Sequence, residues 1–158
     1  MTVRKIFNFN DEVLHKKCEK IKELNNETLE LAQDLKDTLY KTDGIGLAAP
    51  QIGILKRMVF IDTRDGREPI LIINPKIISK SGKETAFEGC LSYPGYSGEV
   101  IRPKSVTIFG LNLEGKKVTY KATGLLARCF CHELDHLDGI VYTDRTKYIY
   151  EDDDNNLE

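Results

Sequence analysis

The stretch CFCHELDHLDG, residues 129–139, limits the fold more than any other part of the chain. His132 and His136 stand four residues apart, a spacing that puts two imidazoles on one helical face, where both can reach a common metal ion. Glu133 sits between them as an acid or base. Taken alone, the pattern also fits an ordinary helix with surface or core histidines. A catalytic ion further needs a third protein ligand and an open coordination position. That ligand has to be found in the rest of the chain.

Two cysteines lie close by and invite the assignment. Cys131 is next to His132, about 100° around the helix, and so points away from the metal face. Cys129 shares the face of the histidines, but it precedes His136 by a helical rise of roughly 10 Å. With a one-carbon arm and a metal–sulfur bond near ~2.3 Å, it does not easily share an ion centred between the two histidines. Cys90 comes from a separate, glycine-flanked segment and is free of that constraint.

The rest of the composition bounds the setting. A chain of 158 residues, 41% hydrophobic and 30% charged, fits one domain with a real core. Its 23 basic and 25 acidic side chains give a net charge of −2, and the basic residues are scattered, so no electrostatic footprint for nucleic acid is expected. MTVRKIFNFN lacks the apolar run of a secretory signal, and no stretch approaches the length needed to span a bilayer, so a cytoplasmic protein is expected. In that compartment the four cysteines read as buried thiols or metal ligands rather than disulfides.

Periodicity predicts an α+β fold: mixed or antiparallel short sheets packed around a central helix carrying the His-Glu-x-x-His motif. Leu31, Leu35 and Leu39 repeat at helical spacing over Glu27–Lys41, with Asn25 and Asn26 as caps and Gly44 as a stop. KRMVFID and PILIINPKII read as buried strands, and SVTIFGLNLEGKKVTYKA as a hairpin turning at Glu114-Gly115. Thr123 is placed to cap the motif helix and Gly139 to end it. A single domain over 1–147 is expected, with 148–158 as an acidic, frayed tail.

Two further stretches complete the pattern. GIGLAAPQIG, residues 44–53, follows the first helix, and EGCLSYPGYSGEV, residues 88–100, holds Cys90 ahead of a proline turn. Together with HELDHLDG they resemble, in order and spacing, the three signature motifs of peptide deformylases. The resemblance covers nearly the whole chain and includes Arg102-Pro103.

The resemblance implies Cys90, His132 and His136 as metal ligands and Glu133 as the general acid/base. One thiolate and two imidazoles suit a single divalent ion, ferrous iron as the native metal with zinc, nickel or cobalt as alternatives. It implies that the Gln51 amide and the Leu91 backbone N–H stabilise the oxyanion. The implied substrate is the N-formylmethionyl end of a nascent polypeptide, and formate is the released product. The backbones of Ile45-Gly46 and Glu88-Gly89 are expected to hold it as an added strand, with Ile45, Leu125 and Cys129 around the methionine side chain. Asp135 is expected to pair with Arg102 and brace the ligand helix.

The chain also departs from the family. Cys131 stands where a glutamine is usual, and FNDEVLHKK lacks a common proline-containing turn. EDDDNNLE does not match the basic carboxy-terminal helix by which some members dock on ribosomes, so a ribosome encounter by that route is not expected, and any encounter would be transient. Two competing readings share part of the pattern. A zinc metallopeptidase would use His-Glu-x-x-His without needing Gln51 or EGCLS. A structural metal module would fill all coordination positions with protein ligands, whereas only three are offered here.

Overall fold

Met58, Val59, Phe60 and Ile61 are consecutive, apolar and all buried, because the strand they form is covered on both faces. Met58 and Phe60 pack with Leu31, Leu35 and Leu39 of the first helix, whereas Val59 and Ile61 pack with Phe130, Leu134 and Leu137 of the second. Alternation along a strand thus assigns one side of the sheet to each helix. Each such side chain contributes about 1.5–3 kcal/mol when fully buried.

The computed structural model describes residues 2–152. Helix α1 is Asn26–Leu39 and α2 is Gly124–Leu137. The strands are β1 (Gly46–Ala48), β2 (Met58–Ile61), β3 (Ile70–Ser81) and β4 (Glu84–Cys90), then β5 (Tyr93–Arg102), β6 (Ser105–Leu111), β7 (Lys117–Thr123) and β8 (Ile149–Glu151). Five form a sheet in the order β1-β2-β3-β6-β7, and three form a second in the order β4-β5-β8. The ladders between these strands are antiparallel, which narrows the expected mixed or antiparallel sheets. The α+β architecture around a central motif helix is the one expected.

Local signals account for most boundaries. Asn25 caps α1 by accepting from the Thr28 N–H, and Thr28 Oγ1 accepts from the Asn25 N–H in return. The helix ends at Leu39, two residues short of the expected Lys41, where the Thr42 hydroxyl donates to the freed Leu39 carbonyl. Thr123 does occupy the N-cap position of α2, but its side chain makes no capping bond. At the other end Gly139 adopts φ +75, and an added Cβ would lie 2.8 Å from the His15 carbonyl carbon and oxygen. Only glycine lets the amino-terminal segment pass so close beneath α2.

Two expectations need correction. The stretch around Cys90 is a long hairpin, β4–β5, and Pro94 lies inside β5 beyond the turn at Leu91-Ser92. The 148–158 segment is not wholly a tail: Ile149–Glu151 pairs with Tyr96–Gly98 as β8. Tyr148, Ile149 and Tyr150 are strand formers, and the open side of β5 offers them a ladder. The rest of that segment, 153–158, lies outside the described residues. Among the described residues, no helix is long and apolar enough to cross a membrane.

Candidate metal centre and active site

His132 and His136 lie one turn apart on α2, with ring centroids 5.0 Å apart. Cys90 reaches them from the end of β4, where the tight turn into β5 pairs Cys90 with Tyr93. The potential ligand atoms of Cys90, His132 and His136 all lie within 4.8 Å of one another, and the Cys90 sulfur is 3.4 Å from His136 Nε2. These three residues could hold one metal ion. Cys129 and Cys131 belong instead to the core cluster between α2 and the five-stranded sheet, although Cys129 also borders the cleft.

The donor set fits a cation. His132 Nδ1 is 2.8 Å from Glu88 Oε1, so Nδ1 carries the proton and Nε2 keeps a lone pair for the centre. Burial opposes protonation of His132, yet the Cys90 sulfur and the Glu88 carboxylate draw its pKa well above the ordinary value. Burial, helped by His132 and Arg102, pushes His136 well below its ordinary value, leaving the neutral ring a metal requires.

Glu88 anchors a buried charge network. It accepts two hydrogen bonds from Arg102, each 2.8 Å, and one from Arg128 at 2.7 Å. Burial disfavours its charge, but the bonds from Arg102 and His132 prevail and hold the carboxyl well below the usual range. Arg102 also pairs with Asp135, and Arg145 binds the same carboxylate. Arg102 and Arg128, each making three hydrogen bonds, thereby tie α2 to β4 and β5.

Glu133 is buried beside the histidines, and burial lifts its carboxyl to about 7. Its Oε1 has no hydrogen-bond partner among the described residues. Gly46 crosses so near that an added Cβ would lie 2.6 Å from Glu133 Oε2. Gln51, 1% exposed, accepts from the Ala48 N–H through Oε1, which aims its amide nitrogen at the centre. That nitrogen donates to Ser92 Oγ at 3.1 Å and lies 3.5 Å from the Cys90 sulfur.

A cleft of about 630 Å³ gathers most of the residues singled out from sequence: Ile45, Gly46, Gln51, Glu88, Gly89, Cys90, Leu91, Leu125, Cys129, His132 and Glu133. His136 is outside its lining and almost fully buried, and Arg102 and Asp135 are also outside it. Leu125 is 51% exposed and forms rim rather than floor. Sequence reasoning missed the Glu88 side chain, having used only its backbone, and it missed Arg128, Ser92 and Arg145. The one local hint was Arg128 within the apolar run LLARCF, a charge on a helix turn that has to be paired if buried.

Two imidazoles on a buried helix, a thiol from a neighbouring hairpin and a carboxyl beside an open cleft define a metal-dependent hydrolase. The family model described as polypeptide deformylase matches residues 3–151. The chain is 50% identical over 153 residues to a protein of Clostridium perfringens named peptide deformylase 2, covering 96% of this chain and 97% of that one. It is 45% identical to the peptide deformylase of Halothermothrix orenii, over 96% of this chain and 99% of its relative. The crystal structure of the Thermotoga maritima peptide deformylase superposes with a TM-score of 0.89 at 35% identity, covering 94% of this chain and all of that one. A Synechococcus elongatus peptide deformylase solved in complex with actinonin matches at 0.86 and 38% identity, over 90% of this chain and 78% of that one. This chain belongs to the polypeptide deformylase family.

Proposed function

We propose that this chain removes the N-formyl group from the formyl-methionine end of newly made polypeptides, releasing formate and a free amino terminus. The observation that carries the reading is the convergence of Cys90, His132, Glu133 and Gln51 on one cleft, with His136 within ligand-sharing distance of Cys90 and His132. The cleft lies between strands β1 and β4, each the terminal strand of its sheet. Two open sheet edges suit an extended peptide held by main-chain hydrogen bonds, with Ile45-Gly46 on one side and Glu88-Gly89 on the other. Ile45, Leu125 and Cys129 then surround the methionine side chain.

Cys90, His132 and His136 would hold one divalent ion, ferrous iron as the native metal, with zinc, nickel or cobalt also compatible with the donors. The chemistry such an ion supplies when bound is Lewis acidity toward water and the formyl oxygen. Glu133 accepts the proton of the attacking water as its oxygen adds to the formyl carbon. The same carboxyl then returns that proton to the amide nitrogen as the C–N bond breaks. A carboxyl lifted to about 7 is suited to both transfers at neutral pH. The Gln51 amide and the Leu91 N–H donate to the oxyanion, and Ala48 and Ser92 hold the amide in place beforehand. Arg102, Asp135 and Glu88 keep α2 and its ligands in register with β4.

The setting is the cytoplasm, where nascent chains are available, and any encounter with the ribosome is transient. The deciding experiment measures formate release from a short formylmethionyl peptide alongside cleavage of its unformylated counterpart. Formate release without internal cleavage is expected. Internal cleavage of the unformylated peptide would instead make the chain a general metallopeptidase.

A further inference from the structure

Strands β3, β6 and β7 carry four lysines, Lys76, Lys80, Lys117 and Lys121, and no aspartate or glutamate. These lysines are scattered along the sequence, but the ladders gather three of them on one face. Thr107, Phe109 and Leu111 alternate along β6 and share that face. Phe109 is partnered there by Lys76 on β3 and Thr119 on β7, Thr107 by Ser79 and Lys121, and Leu111 by Lys117. Val106 and Ile108 turn the other way, into the core that packs on α2. Leu111 still packs against the α1 core, whereas Phe109, farther along β6, is half-buried with Lys76 Nζ 5.9 Å from its ring centroid. Lys76, Ser79, Lys117, Thr119 and Lys121 are exposed. Among the described residues no ion pair involves Lys76, Lys117 or Lys121, and the nearby Glu114 is taken by Lys116. None of these residues lines the catalytic cleft.

We infer that this face binds a single strand of nucleic acid, one base stacking on Phe109 while Lys76, Lys117 and Lys121 hold the phosphates on either side. The inference goes beyond the deformylase reading and does not depend on it. Lysines without acidic partners attract a polyanion, and an aromatic ring set among them favours one that also carries flat rings. An acidic peptide or an anionic lipid surface would satisfy the lysines and leave the ring unused. Lys76 stands one strand spacing, about 4.8 Å, to one side of Phe109. Lys117 and Lys121 lie diagonally across the other ladder, roughly 13 Å apart along β7. Cations on both sides of one ring fit a charged backbone that crosses the strands above it. A base that displaces the Lys76 head group from the ring frees that ammonium for the adjoining phosphate. The hydroxyls of Thr107, Thr119 and Ser79 border the same path and suit sugar oxygens. Bases paired inside a duplex cannot reach the ring, so the face discriminates against double strands.

The test titrates the full chain into a fluorescent single strand of mixed sequence, about 12 nucleotides long, and follows anisotropy across a range of salt concentrations. A dissociation constant on the order of 10–100 µM is expected, with log K falling against log salt at a slope of about −2, the value for three phosphate contacts on a single strand. Lys76→Ala and Lys121→Ala should each bring that slope about 0.7 closer to zero. Phe109→Leu, which keeps most of the apolar volume, should weaken binding roughly tenfold at an unchanged slope, as the loss of one stacked base does. Lys17→Ala, outside this sheet, should change neither quantity. Thermal unfolding of the two lysine variants should match that of the wild type, so that their loss of binding reports the face and not the fold. RNA and DNA of one sequence are both measured, and the tighter of the two identifies the source of the strand. No binding, a slope unmoved by the lysine variants, an affinity unmoved by Phe109→Leu, or a duplex held as tightly as the single strand would overturn the inference. So would phosphatidylserine vesicles or inorganic polyphosphate bound more tightly than the strand, since neither carries a base.

Discussion

Glu88 Oε1 lies 2.8 Å from His132 Nδ1, while the other oxygen of the same carboxylate accepts from both Arg102 and Arg128. One buried acid therefore orients the His132 imidazole and is shared between two arginines, of which Arg102 also pairs with Asp135. Glu88→Gln should lower metal affinity by about 10–100-fold, the usual cost of losing a carboxylate behind a ligating histidine. It should also destabilise the fold by about 3–5 kcal/mol, since the buried Arg128 would lose its carboxylate partner and Arg102 would keep only Asp135. Chelator competition gives the first quantity and denaturant titration the second. Unchanged metal retention would show that Glu88 does not support His132.

Glu133→Ala should keep near-normal metal content, because the proposed centre draws on Cys90 and the two histidines. Turnover should fall by at least ~10²-fold, the scale of losing a general acid/base. Metal analysis and formate assay on one preparation suffice, and wild-type-like turnover would remove Glu133 from the mechanism.

Gln51→Ala removes an amide held by Ala48 and Ser92 in a buried position. The expected loss is about 10²-fold, mostly in kcat, because an oxyanion donor acts chiefly in the transition state. Ser92→Ala, which frees the amide without deleting it, should lower kcat by less. A change confined to KM in Gln51→Ala would recast the residue as one that positions substrate.

The three cysteines near the motif should separate cleanly. Cys90→Ala should abolish tight metal binding and activity, whereas Cys129→Ala and Cys131→Ala should retain the metal. Cys129 borders the cleft, its sulfur 3.8 Å from the Ile45 carbonyl oxygen, so its loss should alter preference for the first side chain of the peptide. A metal-free Cys129→Ala beside a fully loaded Cys90→Ala would overturn the ligand set.

What could be learned from the sequence alone was whatever repeats or is punctuated locally. The leucines of α1, the alternation and turn of the β6–β7 hairpin and the four-residue spacing of His132 and His136 each report a period that the backbone imposes. Helical rise alone also separates Cys129 from His136, and Cys90 is the sulfur that the fold brings to the two histidines. Three motifs in order then pointed to the family. Partners whose identity depends on contacts across the chain stayed hidden until the fold brought them together. Glu88 meets Arg102, Arg128 and His132 at sequence separations of 14, 40 and 44 residues, and no local pattern encodes those pairings. The same holds for Ser92 holding Gln51 from 41 residues away and for β8, which is a strand because β5 offers it an edge. Periodicity belongs to the backbone and is written in consecutive residues. Electrostatic satisfaction of buried groups belongs to the packed core, and only the tertiary structure decides which charge meets which.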